Sequence, residues 1–288
     1  MKIGAFASLF APAVSPQVVA HLAKRLDSAG LDSLWFGEHV MLFDDMEFPY
    51  PGSADGKLPV PAGQGAPDQA SVIAYAASQT KQLRFGTGIS LISQRNPIYT
   101  AKEFATLDWL TDGRIDLGVG VGWCKEEVLA CGYAWENRGA RCNEALELMI
   151  KLWTEPTTAH SGRFFQVPAG RMDPKPVQQP HLPLIIGGYS QAAMRRTARY
   201  GQGWLGFGLP PEACAQLLGQ LDVALEIEGR TRADLDIVVM PADDTLETAS
   251  SFAELGVNRL VPMISLADAS AMEPRVQHLE SLAQRFSS

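Results

Sequence analysis

The sequence predicts a single (β/α)8 TIM barrel that extends over residues 1–288. Strand-like and helical runs alternate along the chain, with about eight of each, which is typical of helices covering a parallel sheet. The strand-like runs are mostly continuous apolar segments, as strands buried on both faces are. An open doubly wound sheet would give the same alternation. Eight units in 288 residues, with no obvious domain break, favour closure into a barrel.

Capping signals and apolar spacing place the elements. Asn96 followed by Pro97 is a helix start, since Asn is a good cap and Pro suits the first helical position. The predicted strands are Lys2–Leu9, Ser33–Phe36, Leu83–Ile89, Arg114–Val119, Leu184–Ile186, Gly203–Leu205, Asp236–Val239 and Arg259–Met263. The predicted helices are Pro16–Ala29, Asp68–Thr80, one from Pro97 to about Asp112, Asn137–Trp153, Ser190–Tyr200, Pro211–Ile227, Thr245–Glu254 and a final one with an apolar stripe from Met272 to Phe286.

Two connections are too long to be simple turns. Met41–Pro67 follows the second strand, and Thr154–Pro183 follows the fourth helix and contains a hairpin-like HSGRFFQV run. Long connections in a compact domain are commonly functional. The first leaves the carboxyl end of a strand, where barrel enzymes have their active sites, so we expect it to form a lid. The second starts on the opposite side but is long enough to extend towards the mouth.

Composition narrows the classes of function. The formal net charge is −8, so nucleic acid is not an expected partner. No apolar run reaches the ~18 residues of a membrane span, and the start of the chain does not read as a signal peptide, so we expect a cytoplasmic protein. The cysteines (Cys124, Cys131, Cys142 and Cys214) form no C-x-x-C pair. The histidines are scattered, so neither a disulfide framework nor a metal site is expected.

A set of ordered motifs points to one family. They read TGIS at 87–90, NPIYTAK at 96–102, ATLDWL at 105–110, DGR at 112–114 and LGVGVGW at 117–123. Two outlying matches are GLDSLWFGEH at 30–39 and PLIIGG at 183–188. Together they resemble the bacterial luciferase-like family of flavin- and deazaflavin-dependent oxidoreductases. The resemblance covers most of the chain and implies the same barrel.

The resemblance also implies a cofactor and partners. Reduced deazaflavin F420 would serve hydride transfer to or from a small organic substrate, whereas reduced FMN would serve oxygen activation and monooxygenation. The pattern is closer to the F420-dependent branch. The family further implies a homodimer, and a separate flavin or F420 reductase could supply the reduced cofactor. A non-catalytic flavin- or deazaflavin-binding protein is the alternative from another class.

Glu38 and His39 are the candidate catalytic residues. They follow the second strand, where side chains point to the mouth of a barrel, and histidine can exchange a proton near neutral pH. The family usually has Asp-His at this point, so Glu38 is a departure.

The candidate cofactor-binding residues lie at three strand ends. The resemblance implies that Gly88 and Ile89 form a bulge, often with a cis peptide bond, behind the ring of the cofactor. Gly120 and Gly122 end the fourth strand, where bare backbone would let a ring or ribityl chain approach, and Trp123 either lines the pocket or belongs to the core. Some deazaflavin enzymes of the family have a catalytic acid where Trp123 stands. Glu126 and Glu127 are nearby, but we expect both at a solvated helix start.

A glycine pair before a helix marks an anion site. Gly187 and Gly188 end the fifth strand and Ser190 begins a helix, whose free N–H groups attract a phosphate. The resemblance places the cofactor phosphate there. We expect Arg195 and Arg196 to be surface charges, and Arg95 either to assist an acidic cofactor tail or to be exposed without a role.

A glycosidase is a further alternative in the enzyme class. Barrel glycosidases use two carboxylates at the mouth, and Glu126 with Asp243 or Asp244 would follow the fourth and seventh strands. No other residue supports this reading.

Overall fold

The strands form a closed ring. The computed structural model describes residues 1–10, 14–50, 53, 55–58, 60, 64–266 and 271–286. The barrel strands are β1 (Lys2–Ile3 and Ala5–Ser8), β2 (Ser33–Phe36), β3 (Arg84–Thr87 and Ser90–Leu91), β4 (Ile115–Gly120), β5 (Leu184–Gly187), β6 (Gly203–Leu209), β7 (Asp236–Pro241) and β8 (Arg259–Leu260 and Met263–Ser265). Each pairs in parallel with the next, and β8 returns to β1, with Arg259 opposite Lys2 and Met263 opposite Phe6. The predicted parallel barrel is confirmed.

Helices follow the strands and cover the outside. They are α1 (Pro16–Ser28), α2 (Gln69–Ala77), α3 (Pro97–Leu110), α4 (Lys125–Ala130), α5 (Arg138–Thr154), α6 (Gln191–Tyr200), α7 (Pro211–Ile227), α8 (Leu246–Glu254) and α9 (Met272–Phe286). The predicted start of α3 is confirmed, because the Asn96 side chain accepts hydrogen bonds from the N–H groups of Ile98 and Tyr99. The short helix α4 lies between β4 and α5 and was not resolved as a separate element from the sequence.

The floor of the barrel is ionic. Arg259, at the start of β8, lies 2.7 Å from an oxygen of Asp116 and 3.0 Å from oxygens of both Asp32 and Asp236. Arg84 pairs with Asp116 at 2.6 Å. Burial on its own would raise the pKa of Asp116, but the two guanidinium groups hold it below the ordinary value. Since Arg259 and Asp116 are nearly inaccessible to solvent, this network fixes the strand starts around one buried charge cluster.

Apolar side chains fill the barrel above that cluster. The buried interior group consists of Phe6, Trp35, Ile185, Leu205, Val238, Met240 and Val261. Ile89 and Phe207 pack on it and are half-buried. The space open to solvent therefore begins at the carboxyl ends of the strands.

The first long connection lies on the mouth. Phe48 stacks on Trp135 with ring centroids 5.5 Å apart, and Tyr50 contacts Trp123 at 5.3 Å. Lys125 at the start of α4 pairs with Glu47 at 2.5 Å. Residues 41–50, which we call the lid segment, thus lie against the connection that follows β4, as expected for a lid. Residues 51, 52, 54, 59 and 61–63 of the predicted loop lie outside the described part of the chain.

The second long connection stays on the outside. Its predicted hairpin is confirmed as two antiparallel strands, Thr158–Ser161 and Gln166–Gly170. The carboxylate of Glu144 in α5 accepts hydrogen bonds from the N–H groups of Phe164 and Phe165, so the hairpin lies along α5. The chain then returns to the β4 start, where Val177 donates to Asp108. In the described structure it is held to the outer helices and not to the mouth.

Candidate active site at the carboxyl ends of the strands

His39 is held by a carboxylate from a distant part of the chain. Its Nδ1 lies 3.0 Å from Oε2 of Glu127, and the exposed fractions of the two side chains are 11% and 1%. The other oxygen of Glu127, Oε1, accepts hydrogen bonds from the N–H of Val40 at 2.5 Å and of Met41 at 3.3 Å. One carboxylate therefore binds both the imidazole and the start of the lid segment.

Glu127 is not the solvated residue that we expected from the sequence. Burial on its own would raise the pKa of its carboxyl group, but His39 and the two backbone donors hold it below the ordinary value. Glu126, by contrast, is half-buried and accepts a hydrogen bond from the N–H of Glu47. The expectation was wrong for Glu127 because consecutive side chains on a helix point about 100° apart. Glu127 therefore faces His39, while Glu126 faces the backbone of Glu47.

The contact with Glu127 determines which ring nitrogen of His39 is engaged and which is left open. An ionised carboxylate accepts a hydrogen bond from Nδ1–H, which leaves Nε2 as the second ring nitrogen. Among the residues that the structure describes, none forms a hydrogen bond with Nε2. The ring is flanked by Phe10, with centroids 5.9 Å apart, and by Trp123 at 5.7 Å. His39 is thus oriented to exchange a proton through Nε2.

Glu38 is fully engaged in holding the end of β3. Its Oε1 accepts from Nε of Arg95 at 2.9 Å and also from Nη2, while Oε2 accepts from the N–H of Leu91 at 2.6 Å. Arg95 also pairs with Glu103 at 2.9 Å, and these acids raise the pKa of its guanidinium against the effect of burial. The reading of Arg95 as an exposed residue without a role was wrong, and its contact with a cofactor tail stays a prediction. This geometry favours a positioning role for Glu38 over proton transfer.

The expected irregularity of β3 is present. The peptide bond between Gly88 and Ile89 is cis, and the strand resumes at Ser90, which pairs with Val119 of β4. Gly88 and Ile89 are half-buried, so both border the open mouth.

The glycines around Ile89 make room for its side chain. A Cβ on Gly120 would lie 1.9 Å from Cδ1 of Ile89, and one on Gly187 would lie 2.8 Å from Cγ2. A Cβ on Gly118 would likewise lie only 1.7 Å from the carbonyl oxygen of Thr87. The missing side chain of Gly120 therefore leaves room for the Ile89 side chain. The sequence had suggested that a ligand would approach the backbone at this position. The half-buried Ile89 side chain therefore borders the mouth at this point.

Gly122 and Trp123, which lie just beyond the end of β4, sit at the rim. Gly122 has φ +76°, a conformation that favours glycine, and lies beside Leu91. Trp123 is half-buried and contacts both His39 and Tyr50. Of the two readings of Trp123, the structure supports a residue that lines the mouth.

The helix start after β5 is open to solvent. Gly188 has φ +123°, and the Ser190 side chain accepts from the N–H of Ala193. Gln191 and Ala192, which precede Ala193 in the first turn, are exposed. Their N–H groups have no partner within the helix, which is the donor set that binds a phosphate.

The two neighbouring arginines of α6, Arg195 and Arg196, differ in burial. Arg195 is exposed, as expected, but Arg196 is buried and donates to Asn143 at 2.7 Å. The surface prediction for Arg196 was therefore wrong, because this side chain fills the contact between α6 and α5.

Asp243 and Asp244, the carboxylates of the glycosidase alternative, already have partners within the chain. Asp244 pairs with Arg275 at 2.7 Å and with His278 at 3.2 Å. Asp243 accepts from the backbone and hydroxyl of Thr245 at the start of α8. The structure gives no support to a pair of free carboxylates.

In the described residues no helix is long and apolar enough to span a membrane, and no three His, Cys, Asp or Glu side chains are grouped to hold a metal ion.

The fold and the site define a barrel protein whose reactive groups lie at the carboxyl ends of its strands. The chain belongs to the luciferase-like monooxygenase family, which matches residues 1–247. Members of this family are oxidoreductases and monooxygenases that depend on F420 or on FMN.

The relatives that are similar to this chain include a monooxygenase and an F420-dependent dehydrogenase. An uncharacterised Mycobacterium tuberculosis protein, Rv0953c, is 28% identical over 276 residues, covering 95% of this chain and 94% of the relative. The 4-hydroxyprotoasukamycin monooxygenase of Streptomyces nodosus subsp. asukaensis is 31% identical, with coverage of 74% and 55%. The F420-dependent glucose-6-phosphate dehydrogenase of Amycolatopsis mediterranei is 28% identical, with coverage of 71% and 57%.

Solved structures show the same fold. The monooxygenase RslO1 from Streptomyces bottropensis superposes with a TM-score of 0.79 at 19% identity and covers 100% of both chains. An F420-dependent secondary alcohol dehydrogenase in complex with an F420–acetone adduct also has a TM-score of 0.79, at 17% identity, with coverage of 98% and 97%. At these identities the likeness concerns the barrel and not the reaction.

Proposed function

We propose that the protein is an oxidoreductase that uses reduced F420 for hydride transfer to or from a small organic substrate. The observation that carries the proposal is His39, held through Nδ1 by the buried Glu127 and flanked by aromatic rings at the mouth. Interconversion of an alcohol and a ketone requires a proton at oxygen together with a hydride at carbon. An oriented imidazole supplies that proton near neutral pH.

The residues at the mouth fit a flat ring with a phosphate tail. Ile89, seated over Gly120 and Gly187, offers an apolar wall next to Gly88, and Gly122 and Trp123 border it. The exposed start of α6, with Gly187, Gly188 and Ser190, offers free N–H groups to a phosphate. These are the residues that would hold the cofactor.

Each part of the site then has a defined task. When bound, F420 supplies or accepts the hydride. His39 holds or releases a proton at Nε2, and Glu127 stabilises its protonated form. The lid segment, whose Met41 and Glu47 N–H groups donate to Glu127 and Glu126, keeps water away from the mouth.

We also propose that the protein is a homodimer. Helix α3 exposes Tyr99, Trp109 and Leu110, with exposed fractions of 80%, 58% and 63%. Apolar side chains of this size on one helix support a protein contact. Light scattering on the purified protein would report twice the monomer mass, and a monomer at micromolar concentration would contradict the proposal.

An FMN-dependent monooxygenase is the second candidate. A monooxygenase is among the relatives at 31% identity. The connections around the mouth are also rich in acids, which suits a cofactor with a single phosphate better than F420 with its additional glutamate carboxylates. In this case a separate reductase would supply reduced FMN.

A fluorescence titration with F420 and FMN, each oxidised and reduced, tests the proposal. Tight binding of F420 supports hydride transfer, preference for reduced FMN supports the second candidate, and binding of neither overturns both. Binding of either cofactor without any turnover would indicate a non-catalytic binding protein.

A single substitution tests the phosphate site. Gln191→Pro removes one N–H at the first helical position, where Pro is tolerated, and the backbone of Ser190 (φ −73°, ψ 155°) is compatible with a following Pro. We expect cofactor affinity to fall by about tenfold, since a charge-assisted hydrogen bond is lost. Gln191→Ala is the matched control, and riboflavin, which lacks the phosphate, should bind equally to both variants.

A further inference from the structure

The mouth of the barrel is lined by aromatic side chains. His39 contacts Phe10 and Trp123, and Trp123 contacts Tyr50, with centroids 5.3–5.9 Å apart. Phe10, Tyr50 and Trp123 are all half-buried, so each keeps part of its ring towards open space. A ligand next to His39 would therefore meet an apolar, aromatic surface on the side of β1, β2 and β4.

On the opposite side of the mouth, Phe207 of β6 and Tyr189, which follows β5, contribute uncharged rings. Phe207 packs edge-on against Phe6 at 5.7 Å and is half-buried. The hydroxyl of Tyr189 donates to the carbonyl of Phe207 and accepts from its N–H at 2.7 Å. Burial raises the pKa of Tyr189 to about 12 and also raises that of Tyr50, so both remain neutral phenols at physiological pH.

Cations around the mouth are few and mostly paired. By sequence, Lys57 and Arg95 are the Lys and Arg residues in the segments that directly join each strand to its following helix. Arg95 is held by Glu38 and Glu103, and Lys125, at the start of α4, is held by Glu47. The acids in the same segments are Glu38, Asp44, Asp45, Glu47, Asp55, Asp68, Asp243, Asp244 and Asp268. An anionic substrate would meet a repulsive field, and no Lys or Arg among the described residues pairs with His39.

We propose that the substrate is an uncharged molecule with an aromatic or alicyclic body that carries a secondary alcohol or a ketone. It is neither a sugar phosphate nor a carboxylate, unlike the substrate in the name of the Amycolatopsis relative. The inference rests on the proposed function: when bound, F420 would supply or accept the hydride at the substrate carbon, and Nε2 of His39 would release or take up the proton at the substrate oxygen. The neutral ring packs on Phe10, Tyr50 and Trp123.

Binding of two ligands that differ by one charge tests the proposal. Calorimetry on the full-length protein, with and without F420, would compare acetophenone with 4-acetylbenzoate, and glucose 6-phosphate would serve as the polar anion. We expect acetophenone to bind at least ~10-fold more tightly than either anion, because burying an unpaired carboxylate is costly. Equal or tighter binding of an anion, or no binding of acetophenone to the F420-loaded protein, would overturn the proposal.

Two aromatic variants locate the binding surface. Trp123→Ala should weaken acetophenone binding by about tenfold, as loss of an aromatic contact does. Tyr75→Ala, on the exposed face of α2, is the matched control and should leave it unchanged. Acetophenone binding without any F420 binding would contradict the proposed function and not the substrate class. F420 binding with turnover of glucose 6-phosphate alone would contradict the substrate class and not the proposed function.

Discussion

Nδ1 of His39 lies 3.0 Å from Oε2 of Glu127, although the two residues are 88 positions apart in the chain. The second oxygen of the same carboxylate accepts from the N–H of Val40 and Met41. The orientation of the imidazole and the position of the lid segment thus depend on one buried group. A lid that moved away from the mouth at Val40 would also loosen the residue that fixes His39.

Glu127→Gln should separate these two tasks. A glutamine has one acceptor oxygen, so it cannot serve both His39 and the lid backbone as the carboxylate does. We expect kcat/KM to fall by roughly 10²-fold, the lower end of general acid–base contributions. Steady-state kinetics would measure this, and ¹⁵N NMR of the imidazole would show a smaller share of the Nδ1–H form.

Glu126→Gln is the matched control for that variant. Among the described residues, its side chain accepts from the N–H of Glu47 in the lid segment and from the thiol of Cys124. A glutamine keeps an acceptor oxygen for the Glu47 N–H, so activity should stay close to that of the native protein. Equal losses in both variants, or an unchanged tautomer in Glu127→Gln, would show that Glu127 does not position His39.

Arg95→Met should destabilise the fold. The side chains of Glu38 and Arg95 are 4% and 16% exposed, so removal of the cation leaves a buried carboxylate without its main partner. We expect a loss of about 3 kcal/mol in the free energy of unfolding, measured by urea denaturation. The double variant Glu38→Gln with Arg95→Met should recover part of it.

Arg199→Met provides the comparison on the surface. Arg199 pairs with Glu147, but their side chains are 60% and 38% exposed, so its loss should cost less than ~1 kcal/mol. A similar cost at both arginines would contradict the importance of burial for the Glu38–Arg95 pair.

Gly120→Ala should displace Ile89. The new methyl group would lie 1.9 Å from Cδ1 of Ile89, and overpacking of this kind costs about 1–3 kcal/mol. Thermal unfolding and cofactor titration should both report the damage. Adding Ile89→Ala should restore stability, whereas Gly219→Ala, on the exposed face of α7 with open space around it, should be neutral or stabilising. No recovery in the double variant would rule out the contact as the cause.

Acid should destabilise the protein through His181. Burial lowers the pKa of this residue, with a smaller opposing effect from its contact with the Leu182 carbonyl. The unfolded chain therefore binds the proton first, and stability that is complete above pH ~6.5 is lost as the pH falls towards the folded-state value, by up to ~1.4 kcal/mol per pH unit. Denaturation at pH 7.5 and pH 5.5 would measure this dependence. It should be smaller in His181→Phe but unchanged in His21→Phe, whose native residue is exposed; equal slopes would contradict the assignment.

Much of the barrel could be read from local patterns. The apolar runs, the Asn96–Pro97 start of α3 and the capped start of α6 at Ser190 depend on neighbouring residues, and the structure confirms them. The irregular peptide at Gly88–Ile89 was expected from the family resemblance. His39 could be placed at the mouth because the carboxyl ends of parallel strands meet on one side.

The pairing of side chains could not be read in the same way. Glu126 and Glu127 are neighbours of the same type in the sequence, and only the direction of α4 buries Glu127 against His39 and leaves Glu126 half-buried. A Glu-Glu pair directly after the fourth strand was the available signal, but it did not say which residue points inward. Phe10 and Tyr50 lacked any motif.

The sequence by itself determined the periodicity, the order of strands and helices and the side of the barrel that carries chemistry, since these follow from short-range spacing and chain direction. Tertiary structure alone decided that Glu38 meets Arg95, that Glu127 meets His39 and that Ile89 fills the space above Gly120 and Gly187. The reason is physical: such contacts join residues from different strand ends, and their geometry is set only once the ring of strands has closed.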